Sequence, residues 1–410
     1  MDLRSKLEKF HQDLIPQATR RPEITGQDIH HYIDGEEVVN QQGRFFYART
    51  LYPGTHLHGE YPLNLIQKST NDIFAQMGKN ALLKDADIRK ALFLDTETTG
   101  LAGGVGTVPF MIGLGRFTGD GFLVEQMFMR DYREEAAVLA EFRKRLDHAG
   151  MLISYNGRAY DMNVLASRMT LARMPLSGTD LPHLDLLHTA RRLWRRRIGD
   201  CSLSNIEQQI LGFRRENDVP GFLIPGLYFE YIRTGAAREL APVFMHNRFD
   251  IVSLAVLAGL AGHIYETPHA YLQHAGDWIS LGRAFENLGM VEEAADCYQS
   301  AMEAHSDEDE LEDALRCMGF MLKRAGKPDK AEAVWQRLVR QMPHRLYAYE
   351  ELAKYYEHQT RNLDRARDIV KQALSRIGIL ESLYNQSLFS ADRDDLEYRL
   401  RRLLRKMRTR

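Results

Sequence analysis

The sequence predicts a mixed α/β sheet domain followed by an all-α array of helical repeats. Three observations predict it. Between residues 91 and 155, short apolar runs alternate with tight turns, as buried strands do. The first and last of those runs lead into carboxylates. From about residue 270 the apolar spacing becomes that of paired amphipathic helices, with matching residues recurring at a fixed period.

The first strand is Ala91-Leu92-Phe93-Leu94, running into Asp95-Thr96-Glu97-Thr98-Thr99-Gly100. Side chains alternate along a strand, so Asp95 and Glu97 point to the same face. Two carboxylates held that close are costly unless a cation sits between them. Hard oxygen ligands suit Mg²⁺ or Mn²⁺. Strands Val108 to Phe117 and Gly121 to Met129 follow, joined by the turn Thr118-Gly119-Asp120-Gly121. Short connections make these first three strands antiparallel neighbours. A helix from Arg133 to Asp147 then crosses to the strand Met151-Leu152-Ile153-Ser154-Tyr155. Asp161 follows, at the start of a helix whose apolar positions are Met162, Leu165, Ala166 and Met169. A third acidic site lies in His246-Asn247-Arg248-Phe249-Asp250, which opens a long apolar helix. His246 and Asp250 are four apart and share a helix face, so a base and a metal ligand can reach the same bound water. The Gly-rich stretch Gly100 to Gly106 precedes neither a Lys-Ser/Thr pair nor a helix. It reads as a flexible lip rather than a phosphate loop.

Asp95-x-Glu97, Asn156…Tyr160-Asp161 and His246-x-x-x-Asp250 resemble the three motifs of the ribonuclease-H-like DEDD exonuclease superfamily, over roughly residues 90 to 265. Leu203-Ser204-Asn205-Ile206-Glu207…Leu211-Gly212 resembles the segment between its second and third motifs. One feature departs: that superfamily places Tyr four residues before the last Asp, or His five before it, whereas this chain has His at the Tyr spacing. This variant, with the C-terminal repeats, resembles the bacterial YprB-type group. The resemblance implies a ribonuclease-H-like mixed sheet and 3′–5′ exonuclease activity on DNA or RNA, single-stranded or with a free 3′ end. It implies two Mg²⁺ or Mn²⁺ ions, about 3.5–4 Å apart in such mechanisms. Asp95 would bridge them, with Glu97, Asp161 and Asp250 completing the set. Thr98 and Leu101 would lie near the terminal nucleotide and Asn156 near the scissile phosphate. His246 would take the proton from the attacking water, a task suited to an unperturbed pKa of about 6.5.

Each piece alone has a plainer reading: a strand end with a helix cap, an acid favoured by the helix dipole, a first-turn surface histidine. The order and context of all three favour the nuclease fold. A non-catalytic nucleic-acid-binding or scaffolding protein that works through its repeats is the alternative, because a fold can outlive its activity.

Length and composition agree with two or three domains. The 410 residues are 44 % hydrophobic and 27 % charged, as in ordinary globular chains. The three cysteines, Cys201, Cys297 and Cys317, are odd in number and not spaced as a zinc site, so a reducing compartment is expected. No signal core opens the chain and no apolar run in the sequence reaches a membrane span, so the cytoplasm is the default expectation, without membrane partners. A net charge of −2 argues against tight non-specific nucleic-acid binding. Basic charge is nevertheless clustered. Arg191 to Arg197 holds five arginines around Leu193 and Trp194. It reads either as a phosphate-tracking edge with Trp194 stacking a base, or as a solvated helix face with Leu193 and Trp194 turned inward. Arg401 to Arg410 reads as the end of an amphipathic helix.

Three parts follow from these patterns. Residues 1–85 form an extension expected to pack on the nuclease domain, with a helix from Leu3 to Leu14 and a strand from Phe45 to Tyr52. His56-Leu57-His58 lacks further metal ligands nearby and reads as a turn and strand edge. Residues 86–268 form the ribonuclease-H-like domain. Residues 269–410 match tetratricopeptide spacing and predict a solenoid that engages a partner protein or substrate. Its first copy carries Trp278, Leu281, Gly282, Phe285, Gly289, Ala294, Tyr298 and Ala301. The second carries Met318, Gly319, Leu322, Gly326, Ala331, Trp335, Leu338 and Pro343. The third carries Tyr349, Leu352, Tyr356, Ala366, Val370 and Ala373, and residues 380–406 cap the stack. Gly289 and Gly326 lie 37 apart, against a usual period of about 34; the acidic stretch Ser306 to Glu310 is expected to absorb the excess as a loop.

Overall fold

A computed structural model describes residues 28–100, 106–175, 181–304, 307–384 and 389–409. The expected helix at Leu3 to Leu14, Leu101 and most of the Gly-rich lip lie outside the described residues. The chain forms two compact units, one from Met1–Leu187 with Leu203–Leu260 and one from His188–Ser202 with Ala261–Arg410.

The first unit is built on a seven-stranded mixed sheet. In chain order its strands are β1 (Glu36–Asn40), β2 (Gly43–Tyr52), β5 (Ala91–Thr98), β6 (Pro109–Thr118), β7 (Gly121–Phe128), β8 (Met151–Ser154) and β9 (His183–Asp185), while β3 (Leu57–His58) and β4 (Tyr61–Pro62) form a separate ribbon. The spatial order is β1-β2-β7-β6-β5-β8-β9. β5, β6 and β7 pair antiparallel, as expected, with Leu94 opposite Leu114 and Leu114 opposite Glu125; only the β6–β7 connection is a tight turn. β8 lies parallel to β5, with Phe93 beside Ile153. A parallel partner needs a crossover, and the helix Glu135–Asp147 supplies it. The N-terminal segment does more than pack on the sheet: β2 pairs with β7 and extends it.

The helices of this unit are α1 (Asn71–Gly78), α2 (Glu135–Asp147), α3 (Asp161–Leu171), α4 (Leu186–Ile198, which continues into the second unit), α5 (Leu203–Ile206), α6 (Ile224–Thr234) and α7 (Ala241–Glu266). A single π turn, Glu207–Leu211, follows α5. Ala91, Leu92, Phe93 and Leu94 are all buried, the signature of a central strand covered on both faces. Phe110 stacks on Tyr228 of α6 with centroids 4.0 Å apart and rings 5° from parallel. The segment Arg238–Glu266 is long and apolar enough to cross a membrane by length and composition, and 83 % of its most apolar window is buried within the protein.

The second unit is all helical: α8 (Ala275–Asn287), α9 (Val291–Glu303), α10 (Glu308–Arg324), α11 (Pro328–Gln341), α12 (Leu346–His358), α13 (Leu363–Leu383) and α14 (Ser390–Arg408). Trp278, Phe285, Tyr298, Trp335, Leu338, Tyr349, Leu352 and Val370 are buried among these helices. A Cβ on Gly319 would sit 2.4 Å from the Trp335 ring, and one on Gly282 would sit 2.7 Å from Tyr298, so both glycines are dictated by facing aromatics. The acidic stretch is not a loop. Asp307 caps α10 by accepting from the Glu310 N–H, and Glu308, Asp309 and Glu310 form its first turn; acids there complement the helix dipole. Trp194 is buried, which removes it as a base-stacking platform. Within the second unit Arg196 pairs with Asp313 at 2.6 Å and Arg197 with Asp277 at 2.8 Å, so part of the arginine run joins the His188–Ser202 segment to the other helices of that unit. At the other end Arg399, Arg402 and Lys406 converge on the buried Glu357 at 3.0, 2.6 and 2.8 Å.

Candidate active site

One cleft of about 330 Å³ in the first unit is lined by Asp95, Thr96, Glu97, Thr98, Asn156, Tyr160, Gly221, Pro225, His246 and Asp250. Three chain segments far apart in sequence meet there. β5 delivers Asp95 and Glu97 near its carboxyl end, and a register shift between Glu97 and Thr98 ends regular pairing at that point. α3 begins at Asp161, whose Oδ1 accepts a hydrogen bond from Thr96 Oγ1. α7 carries His246 and Asp250 one turn apart, with His246 Nε2 3.5 Å from Asp250 Oδ2.

The electrostatics are those of crowded acids. Burial raises Asp95 well above the ordinary carboxylate range, and Asp250, Glu97 and Asp161 push it further. Glu97 is raised by burial and by Asp250 and Asp161. Asp161 is raised to about 6, mainly by burial, against the opposing hydrogen bond from Thr96. Glu97 Oε1 is buried without a hydrogen-bond partner. Among the described residues, donor atoms of Glu97, His246 and Asp250 lie within 4.8 Å of one another. An orphaned carboxylate oxygen among like charges fits a hard divalent cation, with Asp95, Glu97, Asp161 and Asp250 as candidate ligands.

Neighbouring groups hold this set in place. Asn247 Nδ2 donates to Asp95 Oδ2 at 2.9 Å, and Gln126 Nε2 donates to Asn247 Oδ1 at 3.0 Å. Only glycine leaves room for Asn247: a Cβ on Gly113 would lie 2.1 Å from its Oδ1. Asn156 has φ +64°, a left-handed conformation that asparagine tolerates. Asp185 fixes that turn by accepting from the N–H of Asn156 at 2.8 Å and of Arg158 at 3.2 Å. Thr98 Oγ1 and Tyr160 Oη are 2.9 Å apart at the rim. Leu101 lies outside the described residues.

His246 Nδ1 lies 2.8 Å from Asp218 Oδ1. Arg215 Nη1 also lies 3.2 Å from the same Nδ1; the tautomer that donates Nδ1–H to the nearer Asp218 carboxylate leaves the Nε2 lone pair facing Asp250 and the cleft. Arg215, only 7 % exposed, donates to Asp250 Oδ1 and forks onto Glu207 at 2.7 Å through both Nε and Nη2. Sequence reasoning overlooked Arg215, Asp218, Asn247 and Asp185. Asn247 sits inside the third motif and could have been read from its place between His246 and Asp250. Arg214-Arg215-Glu216-Asn217-Asp218 has no periodicity and resembles any polar loop.

Residues 92–261 match the model of the RNase_H superfamily. The chain is also 31 % identical over 344 residues to the uncharacterized protein YprB of Bacillus subtilis (strain 168), an alignment that spans 82 % of each. The chain belongs to the YprB family and carries a ribonuclease-H-superfamily domain at residues 92–261. Among solved structures, the family B DNA polymerase of the archaeon Pyrobaculum calidifontis aligns with a TM-score of 0.34 at 16 % identity, over 49 % of this chain and 29 % of the polymerase. The YprB-family sheet and its C-terminal helical region agree with the mixed α/β-plus-helical architecture expected from sequence.

Proposed function

We propose that this chain is a metal-dependent nuclease of the DEDD type that removes nucleotides stepwise from a 3′ end. The observation that carries the reading is the meeting of Asp95, Glu97, Asp161 and Asp250 beside His246, with a buried Glu97 oxygen left without a partner. Four clustered carboxylates cost stability in a mere platform; they suit cation binding. The ions, two in this reading, would supply charge that polarises water and stabilises the leaving oxygen. The chain's own groups do the rest. Asp218 orients the His246 ring, and Nε2 takes the proton of a water in the cleft. Asn247 keeps Asp95 facing the ligand space. Thr98 and Asn156 border the cleft where a terminal nucleotide and its phosphate would lie. Gly221 and Pro225 line the same cleft, and Phe222 beside them is 69 % exposed, placed to stack an unpaired base. The helical pairs from residue 275 are read as tetratricopeptide-type repeats that engage a protein partner.

End-labelled single- and double-stranded DNA and RNA, incubated with Mn²⁺, Mg²⁺ or EDTA, test this reading beside Asp95→Ala. A metal-dependent ladder from the 3′ end, absent in the variant, is expected. Internal cuts would retain hydrolysis and discard the polarity. Cleavage of no substrate would overturn the enzymatic reading in favour of a scaffold.

A further inference from the structure

Asp250 is held from behind by a buried polar chain that begins in the N-terminal ribbon. His58 of β3 is 2 % exposed, and its ring stacks on Phe213 with centroids 3.7 Å apart. Its Nε2 lies 2.7 Å from Ser253 Oγ. Ser253 Oγ donates to Glu207 Oε1, so it accepts from His58, which fixes the neutral Nε2–H tautomer. Glu207 then receives the Arg215 fork, and Arg215 reaches Asp250 Oδ1 and, through Nη1, Asp218 Oδ2 at 3.3 Å. Asp218 in turn holds His246. The ribbon is seated on the same element: the Glu60 N–H donates to Leu211 O at 2.8 Å, and Gly59 (φ +66°) passes so close that a Cβ would lie 1.9 Å from that oxygen. Glu207 and Leu211 are the two ends of the π turn, an irregularity that often marks a working site.

We propose that Arg215 is a positioning residue of the cation site, and that Glu207, Ser253 and His58 hold it there, making the N-terminal ribbon part of the active centre. The inference rests on the nuclease reading for what the site does, but it concerns the site's geometry. A buried Arg–Glu pair adds little net stability over apolar residues of the same volume, so stability is a weak reason for this network. Geometry supplies a better one. With Oδ1 of Asp250 bound by Arg215, Oδ2 is turned toward His246 and the cleft. A single guanidinium serves Glu207, Asp250 and Asp218 through all three of its nitrogens; an ammonium cannot reproduce that fork.

Mn²⁺ binding to the full-length protein, followed by calorimetry and by the electron paramagnetic resonance of free Mn²⁺, tests this beside cleavage kinetics. Arg215→Met alone strands Glu207 and risks unfolding, so Arg215→Met/Glu207→Gln, which removes both charges, is the informative variant. It is expected to melt within a few degrees of wild type, to bind Mn²⁺ about tenfold more weakly, and to lose about 10²-fold in kcat with KM nearly unchanged. Arg215→Lys is expected to fall similarly. His58→Phe keeps the stacking ring and removes the donor; a three- to tenfold loss of Mn²⁺ affinity is expected. Wild-type Mn²⁺ affinity in the folded double variant would overturn the proposal and leave Arg215 a salt bridge of the fold. Unchanged affinity in His58→Phe would remove the ribbon from it. If wild type cleaves nothing while the double variant still loses Mn²⁺, the positioning role stands and the hydrolytic reading fails.

Discussion

At Asp161 the cost of burying a carboxyl can be measured directly. Burial lifts its carboxyl from 3.8 to about 6 in the folded protein. A raised carboxyl favours the protonated fold, so its contribution is full below pH about 4 and is lost as pH rises through about 6. In EDTA at pH 7.5, Asp161→Asn is therefore expected to raise stability by roughly 1–3 kcal/mol while hydrolysis falls at least 10³-fold; a lower melting temperature would contradict the account of a carboxyl raised by burial. Gly113 offers a second test at this scale. Gly113→Ala drives a methyl into Asn247, so it should cost roughly 1–3 kcal/mol and weaken cleavage, as seen by denaturant titration and rate together. That Asp95 and Glu97 share a face, and His246 and Asp250 another, was legible from strand alternation and helix spacing, while Asp161 joined them through motif resemblance; their roles as ligands and base belong to the proposed function. Arg215 and Asp185 were not legible. Their roles come from partners across loops, Asp250 and Glu207 for one and the turn at Asn156 for the other, and no local pattern carries that.

At the scale of elements, the ribbon β3–β4 and the turn before α6 do work that their sequences conceal. His56-Leu57-His58 reads as a strand edge and is one, yet His58 ends in the core. Its depressed pKa of about 3, set chiefly by burial, means that the unfolded chain takes up a proton the fold refuses. Stability from this group is complete above pH about 6.5 and is lost as pH falls toward about 3. A melting series from pH 7 to 4 should show a steep decline that is shallower in His58→Phe; parallel curves would refute it. The exposed Phe222, beside the cleft residue Gly221, predicts that Phe222→Ala raises KM for a single strand roughly tenfold with kcat preserved, measured by steady-state cleavage. The acidic stretch after residue 306 misled for a related reason. A run of acids resembles a solvated loop, but helix dipoles also collect acids, and only the first turn of α10 separates the two.

Across the whole molecule, two units with separate cores share one chain. Glu357 gathers Arg399, Arg402 and Lys406, fixing α14 against the preceding pair. Glu357→Ala leaves those cations facing one another and should lower the melting temperature of the helical unit by several degrees, while Mn²⁺ binding by the first unit is unchanged; calorimetry with and without Mn²⁺ checks both. The division into a sheet domain and a helical array was readable from the change of period near residue 270. The return of residues 203–260 to the first unit was suggested only by motif resemblance.

The bond from Asn247 to Asp95 closes a span of 152 residues, and that from His58 to Ser253 one of 195. No stretch emerging early from a ribosome contains a complete site. Asp95, Glu97 and Asp161 are synthesised well before α7, and until α7 docks they lack the histidine, the fourth acid and the asparagine. On the reading proposed above, hydrolysis would await the arrival of α7, the helix that completes the site.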